Sequence, residues 1–155
     1  MPAWLNEGLA CQWEAFKLTE DRPVFTPKQN YLRRNGLRSA LNNKDGFIPL
    51  PQLLGMNAGE AVVETGQTVR SYYSQVWLLI LFLQQGSKGK YAEGYKALLA
   101  DAGTDRLDAA VGAYRATNPD AGKLSEGEMI FRHYITENMG ECANEYFDFA
   151  RQVVY

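Results

Sequence analysis

Apolar positions along this 155-residue chain recur mostly with helical spacing, and strand-like alternation is weak. Over residues 2–17, Leu5, Leu9, Trp13 and Phe16 fall on one helical face. Trp4, Gly8, Cys11 and Ala15 fall on a second. A helix apolar on two sides packs between neighbours. Glu7 and Glu14 stand beside the second strip, one above the other at i and i+7. Residues 18–28 contain Thr19, Asp21, Pro23, Thr26 and Pro27 and read as a loop. A second helix is predicted from residue 27 or 28 to about 42, with Tyr31, Leu32, Leu37 and Leu41 as its apolar stripe. Phe47-Ile48-Pro49-Leu50-Pro51 reads as extended, because each proline biases its predecessor away from helix. A single helical turn is expected over 51–56, and a polar loop over 57–66.

The strongest segment is 68–85. Tyr72, Tyr73, Val76, Trp77, Leu79, Ile80, Phe82 and Leu83 make it apolar nearly all round, which predicts a central helix. Further helices are predicted over 89–155. Tyr91, Tyr95, Leu98 and Leu99 mark one that stops at Gly103. Leu107, Ala110, Val111 and Tyr114 mark another, capped by Thr104 or Asp105. Ser125-x-x-Glu128 matches a capping box. The last helical region is expected to break near Gly140. The pattern predicts an all-α fold: one domain over 1–155, built as a multi-helix bundle.

Composition narrows the chemistry. An apolar fraction of 46% with 22% charged residues is that of a soluble globular protein. A net charge of -2 gives no electrostatic footprint for nucleic acid. Arg33, Arg34 and Arg38 read as a solvated basic face. The longest apolar run, from Val76 to Leu83, falls far short of the roughly 18 residues a membrane span needs. Cys11 and Cys142 form no CxxC pair. Two buried or semi-buried free thiols are expected, with a disulfide between them left open. The compartment is left open too, export of a longer parent included. With one histidine, His133, the chain forms no His-x-x-x-His zinc pair. No glycine-rich phosphate loop and no nucleophile elbow is present.

One stretch carries a specific suggestion. Trp4-Leu5-Asn6-Glu7-Gly8-Leu9-Ala10 resembles the helix that supplies the third zinc ligand in gluzincin metallopeptidases. Ser71-Tyr72-Tyr73-Ser74-Gln75-Val76-Trp77 and Gly89-Lys90-Tyr91 follow in the order found in peptidase-MA-like domains of that clan. The resemblance implies that Glu7 is the third zinc ligand, and that Glu14 is the acidic residue following it. It implies that Tyr73, with Tyr72 as the alternative, stabilises the oxyanion of peptide hydrolysis. Gly8 would let the ligand helix approach its neighbour closely. The H-E-x-x-H segment of the clan is absent from this sequence.

The expectation is therefore the C-terminal helical part of a zinc metallopeptidase. The parent would bind zinc and a peptide or protein substrate. This chain alone would hold no zinc and hydrolyse nothing. The alternative is a non-catalytic helical interaction or scaffold domain descended from such a peptidase. Loss of the helix that covers Glu7 would leave an apolar strip around Trp4 and Cys11 exposed, so homo-oligomerisation through the N-terminal helix is also expected.

Overall fold

The computed structural model describes residues 1–57, 59 and 66–155. Most of the loop expected over 57–66 lies outside the described residues. The described residues form eight α-helices, three short 3₁₀ turns and one two-stranded sheet, so the fold is all-α. The helices are α1 (Ala3–Gln12), α2 (Tyr31–Asn42), α3 (Leu50–Gly55), α4 (Gly66–Gln85), α5 (Ala92–Asp101), α6 (Asp105–Thr117), α7 (Glu126–Tyr134) and α8 (Met139–Val154).

Helix α4 is the axis of the fold. Every side chain from Val76 to Leu83 is buried, so neighbours enclose this part of the helix on all sides. Helices α1, α2, α3, α5 and α8 pack against it. Two of these contacts depend on glycine. A Cβ at Gly8 would lie 2.7 Å from the Val76 carbonyl oxygen and 2.7 Å from Ile80 Cγ1. A Cβ at Gly36 would lie 2.2 Å from Ser74 Oγ. The close approach expected at Gly8 is therefore present.

Buried polar groups set the register of the elements around α4. The Gln75 side-chain amide accepts from Ile48 N and donates to Ile48 O, each at 2.8 Å, and so holds the extended stretch before α3. Gln12 Nε2 donates to Gly8 O and Trp77 O. Trp77 Nε1 donates to Pro27 O and Tyr146 Oη to Gln75 O. Trp4 Nε1 donates to Gly127 O while its indole meets Phe131 edge-on, so α1 is also fixed to α7.

Several expectations are corrected. Helix α1 ends at Gln12 rather than near residue 17. The chain then forms an antiparallel hairpin, β1 (Phe16–Leu18) with β2 (Pro23–Phe25), paired Phe16↔Phe25 and Leu18↔Pro23. Phe16, Leu18, Val24 and Phe25 are apolar residues on a short exposed ribbon, and the strand preference of its aromatic and β-branched members outweighs the loop signals of Pro23 and Pro27. Trp13 and Phe16 are exposed, and the buried face of α1 carries Trp4, Leu5, Gly8, Cys11 and Gln12. The strip around Trp4 and Cys11 is covered by the chain itself, which removes the reason for expecting self-association through it.

In α2 the buried face is Gly36, Leu37 and Ala40. Tyr31 and Leu32 are exposed, because the approach to α4 at Gly36 turns the first turn outward. Arg34 and Arg38 do not simply face water: both donate to Val154 O at the C-terminal end of α8, where a cation favours the helix dipole. The break expected near Gly140 falls earlier, between Tyr134 and Met139. Asn138 caps α8 by accepting from Glu141 N, and Gly140 lies inside the first turn. The caps at Thr104 and Ser125 form as expected. Glu128 does not complete the capping box, because its carboxylate pairs with Arg132.

Two glycine substitutions should move stability in opposite directions. Gly8→Ala must displace a backbone carbonyl and is expected to cost about 1–2 kcal/mol despite the better helix propensity of alanine. Gly112 lies inside α6, and a Cβ added there would meet nothing within 4 Å. Gly112→Ala should therefore stabilise by up to about 1 kcal/mol. Urea unfolding midpoints read both, and a Gly8→Ala midpoint at or above wild type would contradict the packing described.

Candidate functional site

Helix α1, the start of α2 and the first half of α4 meet at a partly exposed polar cluster made of Glu7, Cys11, Glu14, Asn30, Arg33 and Tyr73. The fold builds it in steps. Gly8 seats α1 against Val76 and Ile80. Cys11, three residues further along the buried face, then places Sγ 4.0 Å from Tyr73 O. Glu7 is half-buried one residue before Gly8, and its charge acts on both the Tyr73 phenol and the Cys11 thiol. Glu7 has no hydrogen-bond or ion-pair partner among the described residues.

Glu14 follows the end of α1, so it is not stacked over Glu7 on one helix. It turns instead to α2. Arg33 Nε donates to Glu14 Oε2 at 2.7 Å, and Arg33 Nη2 donates to Glu14 Oε1. Asn30 Nδ2 donates to Glu14 Oε2 at 2.9 Å and to Cys11 O at 3.4 Å. Asn30 Oδ1 accepts from Arg33 N, so the residue that caps α2 also ties α2 to the end of α1. The Arg33 guanidinium lies over the Tyr73 ring, 5.1 Å from its centroid.

The ionisations follow this geometry. Burial opposes the charge on Glu14, but hydrogen bonds from Arg33 and Asn30 outweigh it and hold the carboxyl below the usual glutamate range. The same pairing, against burial, raises Arg33. Burial, assisted by Glu14, pushes the Cys11 thiol up to about 12. Burial first, then Glu7, Cys11 and Glu14, raise the Tyr73 phenol, with Arg33 acting in the opposite direction.

The expected site residues are thus partly brought together. Glu7 and Tyr73 share the cluster. Tyr72 is fully buried and faces the interior, meeting Tyr73 edge-on. His133 is exposed on α7 against Tyr134. Gly89-Lys90-Tyr91 turns away to α8, where Lys90 pairs with Glu141 and Glu145, and Tyr91 Oη donates to Glu145. Among the described residues no three His, Cys, Asp or Glu side chains are grouped to hold a metal. Sequence reasoning missed Asn30 and the roles of Glu14 and Arg33. Asn30 ahead of an apolar helix was a legible cap signal; the Glu14–Arg33 pair, 19 positions apart, had none. Comparison with protein-family models, with curated proteins and with solved structures finds no match.

The electrostatics of the two thiols and of Glu14 can be checked directly. Both cysteines are free and buried, and burial also pushes Cys142 up to about 11. Iodoacetamide at pH 8 should label neither in the folded protein and both in urea; labelling of folded Cys11 would contradict its placement. Glu14 has a depressed folded-state pKa, so its stabilisation is present above the unfolded glutamate pKa and is lost as pH falls through the folded value. Glu14→Gln should therefore cost about 1 kcal/mol or less at pH 7, the pair being partly exposed. That cost should shrink as the pH falls below the ordinary glutamate range; a cost that grows there would reverse the assignment.

Proposed function

We propose that this chain is the C-terminal helical part of a gluzincin-like zinc metallopeptidase, in which Glu7 serves as the third zinc ligand and Tyr73 as the donor to the oxyanion of peptide hydrolysis. The observation that carries this reading is the convergence of Glu7 and Tyr73, 66 positions apart, on one partly exposed face. Three further features support it. Gly8 seats the Glu7 helix rigidly against α4. Trp4 and Leu5 are fully buried and fix that helix's rotation. Glu7 itself is half-buried without a competing partner among the described residues.

Tyr73 fits the role better than Tyr72. A phenol that donates to a developing oxyanion must reach the substrate. Tyr73 is partly exposed in the cluster, and Tyr72 is not exposed at all. A raised phenol pKa keeps Tyr73 protonated at neutral pH, the form that donates. Glu7 supplies one ligand, and the other two belong to an H-E-x-x-H segment outside this sequence. The isolated chain accordingly hydrolyses no peptide.

The test is a chain extended upstream by an H-E-x-x-H segment, assayed for bound zinc by elemental analysis and for hydrolysis of a fluorogenic peptide. The expected result is stoichiometric zinc that is lost in Glu7→Gln, and a kcat about 10²–10³-fold lower in Tyr73→Phe. Zinc binding indifferent to Glu7, or a kcat indifferent to Tyr73, overturns the reading and leaves the non-catalytic helical domain in its place.

A further inference from the structure

Of the eleven large apolar side chains exposed among the described residues, seven fall between Trp13 and Leu32. The hairpin is the centre of this surface. Every residue of β1 and β2 is exposed, so the ribbon stands clear of the helices. Phe16 and Phe25 sit opposite each other on one face, with Leu18 and Pro23 next to them and Trp13 edge-on to Phe25. Lys17 lies on the other face, opposite Val24, and forms no ion pair among the described residues. Backbone pairing makes the two edges of the ribbon unequal. Thr26 N donates to Ala15 O at 2.8 Å, and Thr19 N to Arg22 O at 3.1 Å. Pairing alternates along an antiparallel ladder, so Ala15, Lys17 and Thr19 aim their backbone groups at β2. Phe16 and Leu18 therefore turn N–H and C=O outward, where no backbone partner meets them among the described residues. On the outer edge of β2 the same phase falls on Phe25 and Pro23, and Pro23 has no N–H to offer. The open edge is that of β1.

We infer that the outer edge of β1 is a docking site for an extended protein segment that joins the hairpin as a third strand and carries an acidic residue flanked by apolar ones. Two strands alone are marginal in water, and a third strand sharing the apolar face supplies what the ribbon lacks. Main-chain bonds to Phe16 and Leu18 hold such a segment, and its alternate side chains give selectivity. Residues opposite Phe16 and Leu18 come to lie on the apolar face, and the residue between them faces Lys17. An acidic side chain there meets a cation that the fold leaves unpaired. Lys17 also decides against a second copy as the occupant. Self-pairing that sets Phe16 opposite Leu18 of the copy brings the two Lys17 side chains against each other, and like charges directly opposite are unfavourable. A three-residue edge also buries far less than the roughly 800 Å² per partner of a stable interface between two folded proteins. Neither Glu7 nor Tyr73 takes part, so the edge serves a metallopeptidase part and a non-catalytic domain alike.

The probe is a short fluorescein-labelled peptide alternating valine and glutamate, titrated with the full chain and read by fluorescence anisotropy. Saturable binding is expected, with slowed hydrogen exchange at the Phe16 and Leu18 amides. Leu18→Pro removes an outward N–H but none of the hairpin's own bonds, and should weaken binding about tenfold or more. Lys17→Glu should weaken it about fivefold and favour a second peptide in which lysine replaces glutamate. A cross-strand NMR contact between residues 17 and 24 shows whether the hairpin still pairs in each variant; if Leu18→Pro opens it, the charge exchange at Lys17 decides. Absence of saturable binding, binding that survives Leu18→Pro in a paired hairpin, or indifference to the charge exchange overturns the inference. Dimerisation of the chain that Leu18→Pro abolishes also overturns it and assigns the edge to a second copy. Retention on phosphatidylserine vesicles without peptide binding overturns it too, and assigns the apolar face to a lipid surface.

Discussion

Helix α1 meets α4 at a separation that a side chain on residue 8 would not permit. The 2.7 Å gap between a Cβ there and the Val76 carbonyl oxygen is well inside van der Waals contact. Much else follows from this approach. It brings Gln12 within reach of Trp77 O, so the last turn of α1 is tied to the backbone of α4. It buries Cys11 and leaves Glu7 at the edge of the interface. It also fixes where the chain leaves α1, and hence where Glu14 can meet Arg33. A pair of helices this close behaves as one rigid element, and side chains borne on rigid elements hold their relative positions better than side chains on loops.

Around this contact the molecule uses polar groups sparingly and gives each a long-range task. Gln75 lies in the most apolar part of the chain, yet its amide replaces a strand partner for Ile48. Trp4, Trp77 and Tyr146 each bury a ring and send one donor to a carbonyl on another element. Buried polar groups of this kind add modestly to stability when paired and cost more when orphaned, so they select one packing among many apolar alternatives. The Glu14–Arg33–Asn30 node does the same at the surface, with the difference that its cation also faces a titratable ring.

Much of the helical architecture was legible, for a physical reason. The run from Val76 to Leu83 can be satisfied only by enclosure, and caps at Thr104 and Ser125 announce themselves in three or four residues. What could not be read depended on distant partners. The apolar count on α1 allowed two faces, and the choice between them was made by Gly8 against Ile80, over seventy positions away. Trp13 and Phe16 lost that competition and became the approach to a hairpin. On α2, Leu32 has the composition of a core residue, but Gly36 sets the contact angle and turns it outward. The site shows the same division. The resemblance to gluzincin metallopeptidases pointed to Glu7 and to Tyr73 or Tyr72; that Arg33 would stand between Glu14 and Tyr73 is a property of the folded chain alone.

The hairpin that replaced the end of α1 gives the three tryptophans unequal surroundings. Trp4 and Trp77 are sealed in the core, whereas Trp13 is 62% exposed and stacks edge-on against Phe25. Trp13 also directly precedes Glu14. The protein's ultraviolet emission is thereby divided into an inner and an outer population. The outer one is a single indole, next in sequence to the carboxylate that pairs with Arg33, and so an intrinsic optical reporter of the junction between α1 and the hairpin.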